Sequence, residues 1–160
     1  FDVLAFLETM KRPFSLVFKQ EVKDIILLKQ IREALHYIPM DRSDMKQSMK
    51  VILEASNRVK AGENFLIFAE GTRSRNGNET LPFKAGAFKA ATRAKAPIVP
   101  VALLDSYAPF DRSTTEPVTV QIHYMKPMYY EEYAGMKTTE IALEVEKRIR
   151  EEIHKRMKAE

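Results

Sequence analysis

The stretch that most constrains the fold is Asn64-Phe65-Leu66-Ile67-Phe68-Ala69, followed directly by Glu70-Gly71-Thr72-Arg73-Ser74. The first part contains five consecutive apolar residues, and such a run predicts a strand that is buried on both faces. The second part is polar and contains a glycine, so it predicts a loop that begins where the strand ends. Ligands of α/β folds bind in the crevice beyond the carboxyl ends of the strands. We therefore expect this loop to contact a ligand.

The residue types in the loop suit an anionic ligand. Gly71 allows a sharp turn or a close approach of the backbone, Thr72 offers a hydroxyl group, and Arg73 carries a planar fork that matches phosphate oxygens. Glu70 would then order Arg73 or Lys84, or bind a hydroxyl group of the ligand. The alternative is an ordinary strand-to-helix connection with charged surface residues, and the residue types alone do not separate the two interpretations.

The rest of the chain alternates short apolar runs with helical patterns. Strands are predicted at 14–18, 37–40, 64–69, 98–104 and 117–124, and helices at 2–9, 21–35, 44–61, 85–94 and 138–158. A turn is predicted at Asn76-Gly77-Asn78 and a loop at 105–116. This order predicts an α/β fold with a mostly parallel or mixed sheet that is flanked by helices on both faces.

Two of the helices carry further signals. The helix at 44–61 has Ser43 or Asp44 as its N-cap and ends before Gly62. The last helix carries apolar residues at four-residue intervals, namely Ile141, Val145, Ile149, Ile153 and Met157, and we expect its Ile and Val stripe to pack on the sheet.

Composition limits the classes of protein and of site. The 160 residues suit a single domain over 1–160, and the absence of cysteine excludes disulfides, thiolate zinc sites and an acyl-cysteine intermediate. The three histidines lack ligand spacing, so no metal site is expected. The net charge of +4 favours anionic partners. No basic cluster with interleaved aromatic residues is visible, so nucleic acid is not an expected partner.

Four blocks of the sequence resemble those of the 1-acylglycerol-3-phosphate acyltransferase family. Phe68 to Ser74 resembles the family's Phe-Pro-Glu-Gly-Thr-Arg-Ser block, with Ala69 in place of proline. Three further blocks stand in the family's order, at 38–43, 81–88 and 96–101. The resemblance extends from residue 1 to about residue 104, and four ordered blocks are far more specific than a single motif.

The resemblance implies a role for each block. It implies that the phosphate of the acceptor is bound by Arg42, Glu70, Gly71, Thr72, Arg73 and Lys84. The family's first block has a histidine, four residues and an aspartate, and Phe1-Asp2 matches its last two positions. Asp2 would then be the catalytic aspartate. The general-base histidine beside it would be the fourth residue before Phe1. We accordingly expect the chain to be a fragment that lacks its N-terminal part and is inactive alone.

Each of these residues also has a simpler interpretation. Asp2 can serve only as a helix N-cap. Arg42 can pair with Asp41 or Asp44 on the surface, where such pairs stabilise little. The stem of Lys84 can pack on its neighbouring phenylalanine.

The reaction implied by the resemblance moves a fatty acyl group from acyl-CoA or acyl-carrier protein to the free hydroxyl of 1-acylglycerol-3-phosphate, giving phosphatidic acid. The acceptor hydroxyl attacks the thioester itself, so the reaction needs a general base but no cofactor. The implied partners are lysophosphatidate, an acyl thioester, a membrane surface and acyl-carrier protein, with the protein at the cytoplasmic face of the membrane. The alternatives are a non-catalytic lipid- or phosphate-binding module, and acylation of glycerol-3-phosphate or another lysophospholipid.

Overall fold

The computed structural model of the chain describes residues 2–19, 36–40, 44–111 and 117–158. The helix predicted at 21–35 and the predicted phosphate ligand Arg42 lie outside the described residues. No helix in the described ranges is both long enough and apolar enough to cross a bilayer.

A three-stranded parallel sheet forms one part of the fold. It consists of β1 (Phe14–Lys19), β2 (Ile38–Met40) and β3 (Asn64–Leu66), in the order β2-β1-β3. The first half of β1 pairs with β3 and its second half pairs with β2. β2 contains Pro39 and lies at the edge of this sheet, a position that suits a residue without a backbone N–H to donate to a ladder.

β3 is shorter than the predicted strand at 64–69. The structure ends it at Leu66, and the chain from Ile67 to Ala69 leaves the ladder. The carbonyl group of Ala69 accepts a hydrogen bond from the backbone N–H of Lys84 instead. The apolar run therefore forms a strand only as far as Leu66, and the prediction that it is buried on both faces is wrong, because its residues are half-buried or exposed.

A two-stranded antiparallel sheet forms the other part. It pairs β4 (Val101–Leu104) with β5 (Gln121–Tyr124), and a single bridge between Ile98 and Met128 extends it. Both strands are shorter than predicted, and between Ile98 and β4 stands Pro100, which lacks a backbone N–H. In the described residues the strands therefore form two sheets rather than the single sheet that we expected.

The two sheets share one core. A cluster of apolar side chains around Phe6 of α1 contains Phe14 and Leu16 of β1. Leu66 of β3, Val101 of β4 and Ile122 of β5 pack against it. This shared packing holds the loop after β3 close to the antiparallel strands.

The helices follow the predicted order with two additions. They are α1 (Asp2–Thr9), α2 (Met45–Lys60), α3 (Lys89–Ala94), α4 (Ala108–Asp111), α5 (Tyr130–Tyr133) and α6 (Thr138–Met157), and a 3₁₀ helix at Ala85–Phe88 leads into α3. The predicted helices at 2–9, 44–61, 85–94 and 138–158 are confirmed. The predicted loop at 105–116 is wrong in part, because it contains α4. Four-residue helices such as α4 and α5 are too short to show a helical period.

The helix caps and the apolar stripe follow the sequence closely. Asp44 caps α2, since its carboxylate accepts hydrogen bonds from the backbone N–H groups of Lys46 and Gln47. The stripe of α6 is buried as far as Ile153. The predicted packing of the Ile and Val residues is confirmed, whereas Met157 is 53% exposed. It is the last residue of the helix, where the buried stripe has ended.

Arg58 of α2 connects several elements. Its guanidinium donates to the carboxylate of Glu63 at 2.6 Å and 2.9 Å, to the buried hydroxyl of Ser15 at 2.6 Å, and to the backbone carbonyl of His36 at 2.7 Å. The hydrogen bond from Arg58 holds the pKa of Glu63 below its ordinary value. One side chain therefore joins α2 to β1, to the approach to β2 and to the approach to β3.

Replacement of Arg58 by lysine tests this connection. A lysine ammonium cannot reproduce the fork, so Ser15 or the His36 carbonyl loses its partner, at a cost of about 2 kcal/mol. We expect urea unfolding of Arg58→Lys to show that decrease in the free energy of unfolding. Arg148→Lys on α6 is the control, because Arg148 pairs only with Glu144 in the described ranges, and its loss should be below about 0.5 kcal/mol. Equal losses in the two variants would contradict the assignment.

Candidate active site

The loop after β3 returns to its own starting point. The backbone N–H of Lys84 donates to the carbonyl of Ala69 at 2.9 Å, and the N–H of Gly71 donates to the carbonyl of Phe68 at 3.2 Å. Gly71 has φ +75°, a conformation that favours glycine over residues with a side chain. The return of the loop brings Lys84 to the same end of β3 as Glu70, Gly71, Thr72 and Arg73.

Helix α1 packs beside this loop through Phe6. The ring of Phe6 meets those of Phe14, Phe68 and Tyr124 edge to face, with centroids 6.5, 6.3 and 6.3 Å apart. The hydroxyl groups of Thr9 and Tyr124 lie 2.8 Å apart and form a hydrogen bond. These contacts fix α1 between the end of β3 and the end of β5.

The packing of α1 places Asp2 near Glu70. Asp2 lies in the first turn of α1 and is half-buried, as is Glu70. Burial raises the pKa of Glu70, and the negative charges of Asp2 and Glu146 raise it further. A hydrogen bond from the backbone N–H of Leu81, at 2.8 Å, opposes this shift without cancelling it. The predicted catalytic aspartate and the predicted phosphate loop therefore meet at one place.

Glu70 has a different partner from those that we expected. Its carboxylate binds the backbone of Leu81 and not the side chains of Arg73 or Lys84. Arg73 and Lys84 are exposed, and neither side chain has an ion pair or hydrogen bond with any part of the chain that the structure describes. Two cations at the mouth of a glycine-containing loop are thus available to an anion. The pairing of Arg73 with Arg42 around one phosphate stays a prediction.

Helix α6 holds the returning half of the loop. The carboxylate of Glu146 accepts a hydrogen bond from the backbone N–H of Phe83 at 2.9 Å and pairs with Arg150 at 2.9 Å. Arg150 in turn donates to the hydroxyl of Thr80 at 2.8 Å and to its carbonyl at 3.0 Å. We call Glu146 and Arg150 the α6 latch. The sequence interpretation missed it, although the two residues are four apart on the flank of the buried stripe.

Asn78, at the tip of the loop, forms two hydrogen bonds with Asp105. Asn78 accepts a hydrogen bond from the backbone N–H of Asp105 at 2.7 Å and donates to its carboxylate at 3.2 Å. The predicted turn is confirmed, with Gly77 at φ +60° and a hydrogen bond from Glu79 N–H to the Asn76 carbonyl. The loop is therefore attached at both ends and at its tip.

Apolar side chains border the polar residues of the site. Leu4 and Leu7 on α1 are 47% and 40% exposed, and Phe68 and Tyr124, whose rings contact Phe6 of the same helix, are 37% and 45% exposed. No group of three or more His, Asp or Glu side chains suited to a metal ion occurs in the described ranges. The arrangement thus offers carboxylates, free cations and apolar surface.

Comparison with known proteins identifies the family. The family model described as Acyltransferase matches residues 1–104. The chain belongs to this acyltransferase family. The resemblance to 1-acylglycerol-3-phosphate acyltransferases is thereby confirmed, and the matched range contains every predicted site residue. The α6 latch lies beyond the matched range.

Several curated acyltransferases are similar to this chain. A 1-acyl-sn-glycerol-3-phosphate acyltransferase of Limnanthes douglasii is 34% identical over 121 residues, which cover 70% of this chain and 41% of the relative. The corresponding alpha enzyme of Mus musculus is 32% identical over 93 residues, which cover 56% of this chain and 32% of the relative. This acyltransferase chain thus matches about a third to two fifths of the length of these relatives.

A solved structure supports the fold. The crystal structure of the 1-acyl-sn-glycerophosphate acyltransferase PlsC from Thermotoga maritima superposes with a TM-score of 0.78. The superposition covers 99% of this chain and 62% of that chain, at 21% sequence identity. The likeness confirms the predicted α/β acyltransferase-like fold.

Loss of the α6 latch should loosen the loop. In Arg150→Gln the bonds to Thr80 and the ion pair with Glu146 are removed, so we expect the amide of Phe83 and its neighbours to exchange with solvent about tenfold faster. Hydrogen exchange read by NMR or mass spectrometry measures this rate. Arg156→Gln is the control, because Arg156 forms the same kind of pair with Glu152 at 2.7 Å, away from the loop. The same change in both variants would show that Arg150 does not hold the loop.

The raised pKa of Glu70 makes stability depend on pH in a definite direction. Between the ordinary value of 4.5 and the raised value, the native state binds more protons than the unfolded state. The free energy of unfolding should therefore fall as pH rises through this interval. Glu70→Gln removes the titrating group but keeps an oxygen for Leu81, so its curve should fall less. Urea unfolding of the parent and of Glu70→Gln at several pH values tests this. The same dependence of the free energy of unfolding on pH in both proteins would contradict the assigned shift.

Proposed function

We propose that the chain carries the acyl-transfer site of an enzyme that acylates the free hydroxyl of 1-acylglycerol-3-phosphate and gives phosphatidic acid. One observation above all supports this proposal: the loop that begins at Glu70 carries two exposed cations, Arg73 and Lys84, that form no ion pair or hydrogen bond in the described ranges. The names of the relatives point to the same reaction. The acyl donor is acyl-CoA or acyl-carrier protein, and the reaction uses no further cofactor.

The loop binds the acceptor through its phosphate. Arg73 offers a bidentate fork and Lys84 a second positive charge, while Thr72 and the backbone around Gly71 supply neutral donors. Arg42 completes the set in this proposal. A phosphate held at this place fixes the acceptor, and positioning of a reactant lowers the barrier by several kcal/mol.

Asp2 acts on a general base rather than on the substrate. In this proposal the base is a histidine five residues before Asp2, a position upstream of Phe1. Its imidazole removes the proton of the acceptor hydroxyl as the oxygen attacks the thioester carbonyl. The new C–O bond forms, the C–S bond breaks, and the proton passes to the departing thiolate. The carboxylate of Asp2 orients this imidazole and stabilises the imidazolium that forms.

The surroundings of the site agree with a lipid substrate. Exposed apolar side chains on α1 and at Phe68 adjoin the polar residues, and they suit a molecule with both a phosphate and an acyl chain. Because the acceptor and the product are lipids, the proposal places the protein at a membrane surface, on its cytoplasmic face.

Replacement of Arg73 tests the assignment of the acceptor site. Loss of a charge-assisted hydrogen bond costs about 1.5–3 kcal/mol, so Arg73→Ala should raise the KM for lysophosphatidate about 10- to 100-fold. The KM for the acyl donor should change little. Arg75→Ala is the matched control, because Arg75 is an exposed arginine of the same loop. The assay needs a chain that is extended upstream to include the proposed histidine.

Three outcomes would contradict the proposal. Equal increases in both KM values would remove Arg73 from the acceptor site. Faster transfer to glycerol-3-phosphate or to another lysophospholipid would assign a different acceptor. Tight binding of lysophosphatidate with no turnover by the extended chain would indicate a lipid-binding module rather than an enzyme.

A further inference from the structure

The positive charge of the chain is concentrated in two segments. Residues 45–60 and 84–95 together contain eight basic residues and one acidic residue, Glu54, whereas the whole chain has a net charge of only +4. Helix α6 contains five basic and five acidic residues, so its net charge is zero. The excess is therefore a local feature of α2, α3 and the turn that leads into α3.

Tertiary packing brings the two segments together. Ala55 of α2 and Ala90 of α3 belong to one buried cluster, and small residues of this kind allow two helices to approach closely. The exposed cations of the helix pair are Lys46, Lys50, Lys60, Lys89 and Arg93, which we call the basic face. In the described ranges none of these side chains forms an ion pair, whereas α6 has four pairs between residues i and i+4.

Two apolar side chains lie among these cations. Met49 is 62% exposed and Leu53 is 48% exposed, and they stand one turn apart on the outward side of α2. Lys46 and Lys50 flank Met49 in the sequence and are exposed with it. A helix surface that combines lysines with exposed apolar side chains is typical of contact with a membrane interface.

The basic face begins at the same edge as the proposed acceptor site. Strands β2 and β3 are both parallel to β1, so their carboxyl ends point to one edge of the sheet. α2 starts shortly after the end of β2. The segment that leads into α3 starts at Lys84. The backbone N–H of Lys84 donates a hydrogen bond to the carbonyl of Ala69, shortly after β3. The first turns of α2 and the start of the α3 segment therefore lie near the loop at 70–84, which we propose binds the phosphate.

We propose that the basic face docks the protein on an anionic lipid bilayer, with Met49 and Leu53 at the boundary between headgroups and acyl chains. Each lysine or arginine near an anionic surface contributes about 1 kcal/mol, and this attraction is screened by salt. The inference rests on the proposed function in one respect, because a lipid acceptor and a lipid product both require contact with a bilayer. An acidic acyl-carrier protein is the competing occupant. It would explain the face only if acyl-carrier protein, and not acyl-CoA, is the acyl donor.

Charge reversal on two matched surfaces tests the proposal. The 160-residue chain is mixed with vesicles of phosphatidylcholine alone, or with vesicles in which roughly a third of the lipid is phosphatidylglycerol. We expect sedimentation to show binding to the anionic vesicles, and a decrease of about tenfold or more in the variant Lys46→Glu/Lys50→Glu/Lys89→Glu. The control Lys147→Glu/Lys155→Glu/Lys158→Glu makes the same change of net charge on α6 and at its C-cap. It should retain most of the binding.

The apolar contribution is tested in the same assay. Met49→Gln/Leu53→Gln should weaken vesicle binding severalfold while leaving its dependence on salt unchanged. The control Leu143→Gln/Met157→Gln alters two apolar residues of α6 that are 68% and 53% exposed, and it should bind as the parent does. Urea unfolding of each variant verifies that it is folded.

Two results would overturn the proposal. One is equal binding of the two charge-reversal variants to anionic vesicles. The other is unchanged vesicle binding of the basic-face variant together with a selective loss of binding to acyl-carrier protein, which would assign the face to an acidic protein. The vesicles contain no lysophosphatidate and the readout is not catalytic. A failure of the docking surface is therefore distinguishable from a failure of the proposed acyl transfer.

Discussion

Three backbone N–H groups in the returning half of the loop determine the geometry of the site. The N–H of Leu81 binds Glu70, that of Phe83 binds Glu146, and that of Lys84 binds the carbonyl of Ala69. Buried backbone donors require partners, and here two of the partners are carboxylates. Because the carboxylates of Glu70 and Glu146 accept hydrogen bonds from the loop backbone, they do not form ion pairs with Arg73, whose side chain stays exposed.

The same contacts set the electrostatics of the site. Glu70, Glu146 and Asp2 concentrate negative charge around a partly buried region, and Arg150 supplies the opposing positive charge from α6. Burial is the main cause of the raised pKa of Glu70; the negative charges of Asp2 and Glu146 add to the shift and Arg150 opposes it. In the proposed function, binding of the phosphate by Arg73 and Lys84 and stabilisation of a cation by Asp2 are separate tasks for residues of opposite charge.

Much of the architecture could be predicted from local pattern. The apolar stripe of α6, the cap of α2 by Asp44 and the turn at Gly77 depend on residues that are close in sequence, so a single stretch contains the whole signal. The lengths of β3, β4 and β5 could not be predicted in this way. A strand ends where its partner ends, and for β3 the partner of Ala69 turned out to be Lys84 in the loop rather than a residue of β1.

By itself the sequence determined the fold class, the order of the helices and the family, because apolar period, caps and the four motif blocks are local properties. It also predicts that Glu70 to Arg73 bind a ligand, and this stays a prediction. Only the tertiary structure decided that Asp2 is close enough to Glu70 to raise its pKa, that α6 latches the loop, and that α2 packs against α3. Those features join residues that are tens of positions apart. Their proximity results from packing around Phe6 and Ala55, which no local pattern encodes.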